Sequence, residues 1–302
     1  MSVRLLRMVR MSVLGPACAA AMTGAMTCAL AGTAYAEPPR AVITPPAASQ
    51  PVAAPSPAPH SPLPQAAANT APVCAAPDDI TRLMNPLART GKLLAAGEPV
   101  KIVAVGSSST AGAYASSPDK SYPSRLAAEL TARFPGQPIT VLNRGVNGEQ
   151  APDNLARLEK DVLAEAPDLI LWQVGTNDVL RDQSMSATNA RLLEGLKRMK
   201  ASGADVILID PQFAPMVVAK KDTEAFVQLL ATTARTHNVD LFQRFAVMRH
   251  WRHVAHLPFS AFISPDDLHM NDWSYGCLAE LLGKAIAEAA TRTTQTASAG
   301  RR

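Results

Sequence analysis

The sequence predicts an α/β fold with a mostly parallel five-stranded sheet that is covered by helices on both faces. Three observations carry this prediction. Short apolar runs rich in Val, Ile and Leu alternate along the chain with longer segments of helical spacing. The predicted strands are almost continuously apolar, which indicates that both faces of the sheet are buried. A regular alternation of strands and helices is typical of parallel sheets, because each helix returns the chain to the edge where strands begin.

The individual elements follow from these patterns. Short apolar runs predict strands at 101–106, 139–145, 169–175, 205–210 and 239–243. Apolar residues at helical spacing predict helices at 121–134, 154–166, 189–203, 223–237 and 271–290. A helical lead-in at 78–96 is expected to bend or restart at Pro86, because proline lacks the backbone N–H that a helix interior requires.

Residues 1–36 have the features of a secretory signal peptide. Three arginines are followed by an apolar stretch and by Ala34-Tyr35-Ala36, with small residues where a signal peptidase cleaves. We expect cleavage before Glu37 and a periplasmic or secreted protein without stable membrane insertion. An uncleaved anchor is the alternative, but Gly15, Pro16 and Gly24 interrupt the apolar run. Removing the signal lowers the formal net charge from +4 to +1, which gives no argument for nucleic-acid binding.

The rest of the chain divides by composition. Residues 37–73 contain eleven prolines and almost no large apolar side chains, which predicts a disordered Pro/Ala-rich linker. Residues 74–290 have the length of one domain. Residues 291–302 are polar, and we expect a disordered tail.

Two cysteines remain after signal cleavage, Cys74 and Cys277. An exported protein folds where disulfides are permitted. We therefore predict a disulfide bond between them, which would join the start of the domain to its last helix. Two unrelated thiols are the alternative.

Polar residues follow each predicted strand at its carboxyl end, where ligands bind in parallel α/β sheets. These residues are Ser107, Ser108 and Ser109 after the first strand, Gly148 after the second, Asn177 after the third, Gln212 after the fourth, and Asp266 and His269 well beyond the fifth.

This set contains the parts of an acyl-transfer site. A serine hydroxyl becomes a nucleophile when a base such as His269 takes its proton. A carboxylate three residues earlier, Asp266, could orient the imidazole and stabilise its charged form. The tetrahedral intermediate needs hydrogen-bond donors, and the Ser108 backbone, the Gly148 turn and the Asn177 side chain could supply them.

The chain here resembles the SGNH (GDSL-type) hydrolases over roughly residues 100–290. The matching segments are VAVGSSSTAG, LNRGVNGE, QVGTNDVL and DDLH, in the family's order. The resemblance implies a flavodoxin-like three-layer α/β/α fold and hydrolysis, sometimes transfer, of ester-linked acyl groups without a metal or cofactor. It implies Ser108 as nucleophile, Gly148 and Asn177 in the oxyanion hole, and Asp266 and His269 as the rest of the triad.

Several alternatives remain at the level of residues. The family usually has Asp immediately before the serine, where this chain has Ser107, so Ser107 and Ser109 are rival nucleophiles. Asp267 is the alternative partner of the histidine, although the three-residue spacing favours Asp266. Gln212 could contact substrate or could support the end of its strand.

The segment HWRHVAH spaces three histidines evenly, but no cysteine or acidic residue accompanies them, so we expect an amphipathic segment and no metal site. The leading interpretation is a serine esterase that acts on a small-molecule or carbohydrate acyl ester, with O-acetyl groups on envelope or extracellular carbohydrate as candidates. An acyltransferase using the same site and a non-catalytic carbohydrate-binding envelope module are the alternatives.

Overall fold

The computed structural model describes the backbone of residues 71–299 and the side chains of residues 71–292. The predicted signal peptide and nearly all of the predicted linker lie outside these residues. In this part of the chain the strands are β1 (Val100–Gly106), β2 (Ile139–Gly145), β3 (Leu169–Gln173), β4 (Asp205–Ile209) and β5 (Asp240–Phe242). All neighbouring strands are parallel and their order is β2-β1-β3-β4-β5. This is the flavodoxin-like order, so the predicted fold class is confirmed.

The helices of the described part are α1 (Asp78–Thr81), α2 (Ala88–Ala96), α3 (Ser108–Ala111), α4 (Tyr122–Arg133), α5 (Ala151–Ala156), α6 (Leu158–Asp161), α7 (Thr176–Leu180), α8 (Met185–Ala201), α9 (Pro215–Val218), α10 (Thr223–Thr236), α11 (Arg244–His253), α12 (Phe259–Phe262) and α13 (Asp272–Ala299). Short 3₁₀ turns lie at Pro118–Lys120 and Leu163–Glu165. None of these helices combines the length and the apolar character needed to cross a membrane.

The strand order explains how the helices form two layers. The connection from β1 to β2 runs toward one edge of the sheet, and the later connections run toward the other edge. Because crossovers between parallel strands are right-handed, a reversal of direction places the connecting helices on opposite faces. Helix α13 therefore packs with α4 and α2, and α8 packs with α5 and α10. The reversal occurs between β1 and β3, which makes the carboxyl ends of these two strands the expected ligand site.

Both faces of the central strand β3 are buried, as its continuous apolar sequence predicted. Trp172 on this strand is fully buried, and its indole Nε1 donates a 2.9 Å hydrogen bond to Asn154 Oδ1. The ring fits because α8 carries Gly195 at the contact, where even a Cβ atom would overlap the indole. A buried indole with a satisfied N–H stabilises the interior, and Trp172 is accordingly a core residue.

The amino-terminal segment of the domain is held by a disulfide bond between Cys74 and Cys277, with Cα atoms 5.4 Å apart. The predicted pairing is therefore confirmed. Two tryptophans add hydrogen bonds to the same segment: Trp251 Nε1 donates to the Ala75 carbonyl over 3.0 Å, and Trp273 Nε1 donates to the Pro72 carbonyl over 2.9 Å. The start of the domain is thus fixed against α11 and α13.

The lead-in at 78–96 is two helices, with α2 restarting just beyond Pro86 as predicted. Two other element boundaries differ from the sequence prediction. The helix expected at 154–166 begins at Ala151 and is interrupted at Arg157. The guanidinium of Arg157 donates a hydrogen bond to Glu149. The last helix continues to Ala299, beyond its predicted end at 290, and no glycine or proline lies between Gly283 and Gly300.

Candidate active site

The serine turn lies directly after β1, where Ser107 precedes the short helix α3. Ser107 is buried, and its N–H and hydroxyl both donate to Gln173 Oε1, over 2.9 and 3.0 Å. Ser109 is fully buried and donates to Gln212 Oε1 over 3.3 Å. Ser108 is partly exposed. Of the three neighbouring serines, Ser108 is thus the one whose hydroxyl a substrate can reach.

A chain of two hydrogen bonds joins Ser108 to the histidine segment. Ser108 Oγ lies 2.8 Å from His269 Nε2, and His269 Nδ1 lies 2.5 Å from Asp266 Oδ2. An ionised carboxylate can only accept hydrogen bonds, so Nδ1 carries the proton and Nε2 is left to accept from the serine hydroxyl. The structure therefore brings Ser108, His269 and Asp266 together in one chain of hydrogen bonds, with a basic ring nitrogen facing the serine hydroxyl.

The turn that carries this histidine is held by its own backbone. Ile263 and Met270 form an isolated antiparallel bridge, and the Ser264 N–H donates to the His269 carbonyl over 2.8 Å. The neighbouring Asp267 is exposed, with a left-handed φ of 58°, and it is Asp266 that accepts the hydrogen bond from His269 Nδ1. Between the two carboxylates considered, Asp266 is the one that orients His269.

Asp266 is set up to remain charged. Partial burial by itself disfavours the carboxylate, but hydrogen bonds from the His269 ring and from the backbone N–H groups of His269 and Leu268 outweigh that effect and lower the pKa of Asp266. A carboxylate that keeps its charge stabilises a neighbouring imidazolium.

Gly148 lies in the loop after β2 and Asn177 at the start of α7, and these two segments contact each other beside the serine turn. Asn177 Nδ2 donates one of its two hydrogens to the Glu149 carbonyl over 2.8 Å, which leaves the second without a partner among the described residues. Gly148 has a left-handed φ of 79°, a conformation that glycine adopts without strain. The Ser108 N–H begins α3 and has no partner within that helix.

An ion pair between Glu149 and Arg157 supports the loop that contains Gly148. Arg157 Nη2 lies 2.6 Å from Glu149 Oε2 and donates to the Arg144 carbonyl over 2.7 Å. Asn154 Nδ2 donates to the same Glu149 oxygen over 2.6 Å. Both partners of the pair are mostly buried, so their mutual orientation is fixed more firmly than that of a surface pair. No local pattern in the sequence indicated this pair.

Two glutamines connect the loops of the site. Gln173 ends β3 and accepts from the serine turn, and sequence reasoning missed it, although a lone polar residue closing a buried strand was a usable signal. Gln212 is 1% exposed; its Oε1 accepts from Thr176 over 2.9 Å and its Nε2 donates to the Leu268 carbonyl over 3.3 Å. Of the two roles left open for Gln212, this burial favours support of the loops over contact with substrate.

A buried aspartate and a buried arginine lie next to each other beneath the site. Asp210, at the end of β4, accepts from the Phe245 N–H over 2.8 Å, and Arg244 Nε donates to the Asp210 carbonyl over 2.8 Å. Both side chains are at most 1% exposed. Burial raises the pKa of Asp210 to about 7 and lowers the pKa of Arg244 to about 10, because a charge is costly away from water.

Tyr114 is a site residue that sequence reasoning missed entirely. Its ring stacks on the imidazole of His269, with centroids 5.4 Å apart and planes inclined by 13°. The residue is 56% exposed and has a left-handed φ of 64°. No local motif marks a tyrosine in this loop as a partner of a histidine 155 positions later.

The three evenly spaced histidines do not converge. His250 on α11 is partly buried, while His253 and His256 are exposed, and the His253 ring packs edge-on against Phe213. Among the side chains of residues 71–292, no group of three or more His, Cys, Asp or Glu is placed to hold a metal ion.

The parallel sheet, with its serine, glycine, asparagine and histidine segments gathered at the carboxyl edge, defines the class of protein as a hydrolase of the SGNH/GDSL-like superfamily. Residues 73–292 match the model of the non-GDSL lipase-like family, and the chain belongs to that family.

Relatives of this chain by sequence include two esterases. An arylesterase of Vibrio mimicus is 28% identical over 186 residues, covering 62% of this chain and 88% of the relative. An acetylxylan esterase of Geobacillus stearothermophilus is 39% identical over 56 residues, or 18% of this chain and 26% of the relative.

Among solved structures, a two-domain esterase active on acetylated mannans, co-crystallised with mannopentaose, superimposes with a TM-score of 0.59 and 23% identity. The match covers 70% of this chain and 57% of that one, so this chain spans just over half of the two-domain enzyme. An acetylxylan esterase from Geobacillus stearothermophilus superimposes with a TM-score of 0.53 and 21% identity, covering 62% and 94% of the two chains. At these identities the structural likeness shows the shared fold.

Proposed function

We propose that this protein is an exported serine esterase that removes acyl groups from esters, with O-acetylated carbohydrate as its substrate. One observation carries the proposal: the continuous hydrogen-bond chain from the Ser108 hydroxyl through His269 to Asp266. Membership in a lipase-like family and the esterase names of its relatives support ester hydrolysis as the reaction.

The reaction begins with the attack of Ser108 Oγ on the ester carbonyl while His269 Nε2 takes the hydroxyl proton. A C–O bond forms and the carbonyl oxygen becomes an oxyanion. The Ser108 N–H, an N–H of the Gly148 turn and the uncommitted hydrogen of Asn177 Nδ2 are the donors we assign to it.

The intermediate collapses when His269 gives its proton to the leaving alcohol oxygen, and the ester C–O bond breaks. Ser108 then carries the acyl group. A water molecule, deprotonated by His269, attacks this acyl-enzyme, and the acid departs as Ser108 regains its proton. Asp266 stabilises the imidazolium in both halves, which requires the charged carboxylate that the lowered pKa of Asp266 provides.

Two features support acetylated carbohydrate as the substrate. The relatives include enzymes named for acetylxylan and acetylated mannans. The amino-terminal sequence predicts export, which would place the enzyme among envelope or extracellular polysaccharides.

Mapping the nucleophile tests the proposal directly. The wild-type protein is labelled with a fluorophosphonate, digested, and sequenced by tandem mass spectrometry, which distinguishes Ser108 from its two neighbours. We expect the adduct on Ser108, no adduct in Ser108→Ala, and a loss of about 10⁴-fold or more in kcat/KM for an acetyl ester in that variant. An adduct on Ser107 or Ser109, or turnover that persists in Ser108→Ala, would contradict the assignment.

A further inference from the structure

A cavity of about 700 Å³ lies next to the turn that carries His269. Tyr114 and Asp267 line it, whereas Ser108, Asp266 and His269 themselves do not. We call this cavity the Tyr114 groove. Three aromatic side chains line it, Tyr114, Phe259 and Trp273, together with hydroxyl and amide side chains from Ser116, Ser260 and Asn271. Its volume is in the range of sites that bury a small organic ligand.

The wall of this groove is built to hold Tyr114 in place. The Tyr275 hydroxyl donates to the Ala113 carbonyl over 2.8 Å, immediately before Tyr114. Two residues further on, the Ser116 N–H donates to Asp272 Oδ1 over 2.8 Å, and its hydroxyl donates to the other carboxylate oxygen. Both anchors belong to α13, so the loop is fixed on each side of the tyrosine.

This fixation maintains an unfavourable backbone conformation. Left-handed φ values are uncommon and unfavourable for bulky residues, so they persist only where the surrounding structure imposes them. At Tyr114 the result is a large ring that is 56% exposed next to a proposed catalytic base. A strained, exposed aromatic ring at the edge of a cavity is a contact surface for a ligand.

The position of the groove identifies which part of an ester enters it. In the proposed reaction His269 Nε2 protonates the leaving oxygen, so the alcohol part of the ester must lie on the histidine side. The groove begins there, because the Tyr114 ring stacks on the imidazole and Asp267 adjoins Asp266. None of the residues assigned to the oxyanion lines it.

The lining also indicates the chemistry of that alcohol. Aromatic faces contact apolar C–H surfaces, while hydroxyl and amide groups satisfy several hydrogen bonds, and a sugar ring presents both kinds of surface. Among the described residues that line the groove none is cationic, whereas Asp267 and Asp272 are acidic. An anionic sugar would be repelled, so the lining favours a neutral one.

We infer that the Tyr114 groove is the leaving-group subsite for a neutral sugar, with the Tyr114 ring as the platform on which the acylated residue stacks. The inference rests on the proposed function, since it uses the direction of proton transfer from His269.

The far wall of the groove is preorganised by the amino-terminal segment. Trp273 packs edge-on against Trp251, with ring centroids 4.9 Å apart, and its indole is hydrogen-bonded to the Pro72 carbonyl. The disulfide bond at Cys277 lies one helical turn further along α13. A wall that is rigid before binding reduces the entropy lost when a sugar is ordered on it.

The test compares two acetyl esters that share the acyl group and differ in the alcohol. Trifluoroethyl acetate has a small leaving group, and acetylated xylo- and mannooligosaccharides have sugar leaving groups. In Tyr114→Ala we expect kcat/KM to fall about tenfold further for the oligosaccharides than for trifluoroethyl acetate, mainly through KM. Tyr114→Phe keeps the ring and should restore most of this ratio.

Two further variants frame the comparison. Ser260→Trp places a large ring in the groove. It should therefore lower kcat/KM more for the oligosaccharides than for trifluoroethyl acetate, as Tyr114→Ala does. Met84→Ala removes another highly exposed apolar side chain, on a segment hydrogen-bonded to the start of β5, and should leave the substrate ratio at the wild-type value. Equal losses for both esters in Tyr114→Ala would overturn the subsite while leaving the proposed esterase intact.

Binding measurements separate the subsite from catalysis. Unacetylated xylo- and mannooligosaccharides are titrated into the wild-type protein and into Tyr114→Ala by calorimetry. We expect binding to the wild type that weakens about tenfold in the variant, whether or not the protein hydrolyses any ester. Undetectable binding to the wild type would reject a sugar subsite. Hydrolysis of phenyl acetate is measured in both proteins as well. A loss of kcat/KM in Tyr114→Ala that is confined to phenyl acetate would also reject a sugar subsite, and it would assign the groove to an aryl alcohol.

Discussion

Ser108 Oγ and His269 Nε2 lie 2.8 Å apart, although 161 positions separate the two residues in the sequence. Ser108 begins a short helix at the end of β1, and His269 lies on a turn that comes long after the last strand. The parallel sheet makes this possible because its strands all end at one edge, so loops from distant parts of the chain meet there. The hydrogen bond is thus a consequence of topology.

Asp266 offers a test of the histidine's orientation. Asp266→Asn keeps a side-chain oxygen for the N–H groups of Leu268 and His269 but loses the carboxylate that faces Nδ1. We expect kcat/KM to fall about 10³- to 10⁴-fold with the fold retained, as judged by circular dichroism and thermal melting. Asp267→Asn, the comparison variant, should lose at least a hundredfold less. Similar losses in the two variants would show that Asp266 has no special role.

Gly145 tests how tightly the serine turn packs on β2. A Cβ atom at this position would lie 2.5 Å from the backbone carbonyl carbon of Thr110 and closer still to the Ala111 nitrogen. Because backbone atoms cannot rotate away, we expect Gly145→Ala to reduce the free energy of unfolding by about 3 kcal/mol and to lower kcat/KM by displacing α3. Urea denaturation and ester hydrolysis measure both effects.

Gly136→Ala is the control for that variant. Its Cβ would meet nothing within 4 Å, so only its left-handed φ of 82° opposes the substitution. A loss of about 1 kcal/mol without change in kcat/KM is expected. If Gly145→Ala behaved in the same way, the close packing of α3 on β2 would not hold in solution.

The disulfide bond should contribute strongly to stability. Cys74 and Cys277 are 203 positions apart, so the bond constrains nearly the whole unfolded domain. Replacing both cysteines by serine is expected to reduce the free energy of unfolding by about 2–5 kcal/mol. Denaturant titrations with and without dithiothreitol measure it, and the reductant should destabilise the wild type but have no further effect on the double variant. A wild-type midpoint insensitive to reductant would contradict the prediction.

Asp210 predicts a pH dependence of stability with a definite sign. Burial raises the pKa of Asp210 to about 7 in the folded protein, whereas the pKa of an aspartate carboxyl group in an unfolded chain is ~4. Between these values the folded state binds more protons, so this contribution to the free energy of unfolding decreases as pH rises. Asp210→Asn removes the titration and keeps an acceptor for the Phe245 N–H.

The stability of Asp210→Asn relative to the wild type should therefore increase from pH 5 to pH 8 in urea denaturation. Asp222→Asn, at an exposed carboxylate, corrects for the general effect of removing one negative charge. A relative stability that stays constant or declines with pH would show that Asp210 is not protonated on folding.

Prediction from sequence was most accurate for the sheet. The ranges of β1 and β2 agree with the predicted strands to within one residue. β1 is buried almost throughout, as its apolar run predicted, whereas β2 lies at the edge of the sheet and is only partly buried. The interruption at Arg157 was not predicted. Helical spacing records which face of a segment is buried, but it does not locate a break in the backbone hydrogen bonds of a helix.

The candidate site divides in the same way. The segments holding Ser108, Gly148, Asn177 and His269 were legible because each follows a strand or forms a recognisable motif. The role of Gln212 was left open between two alternatives, and its burial favours one of them. Tyr114 gave no signal, since its ring meets His269 only through the path of a loop anchored to α13.

By itself, the sequence determined the alternation of strands and helices, the parallel sheet and the segments that approach the carboxyl edge of that sheet. It also determined the cysteine pair. Only the tertiary structure decided which of three serines is accessible, that Asp266 and not Asp267 faces the imidazole, and that a strained tyrosine lines a groove beside it. The physical reason is range. Periodicity and turn chemistry act over a few residues, whereas exposure, hydrogen-bond partners and cavities depend on side chains that are neighbours only after the whole sheet has formed.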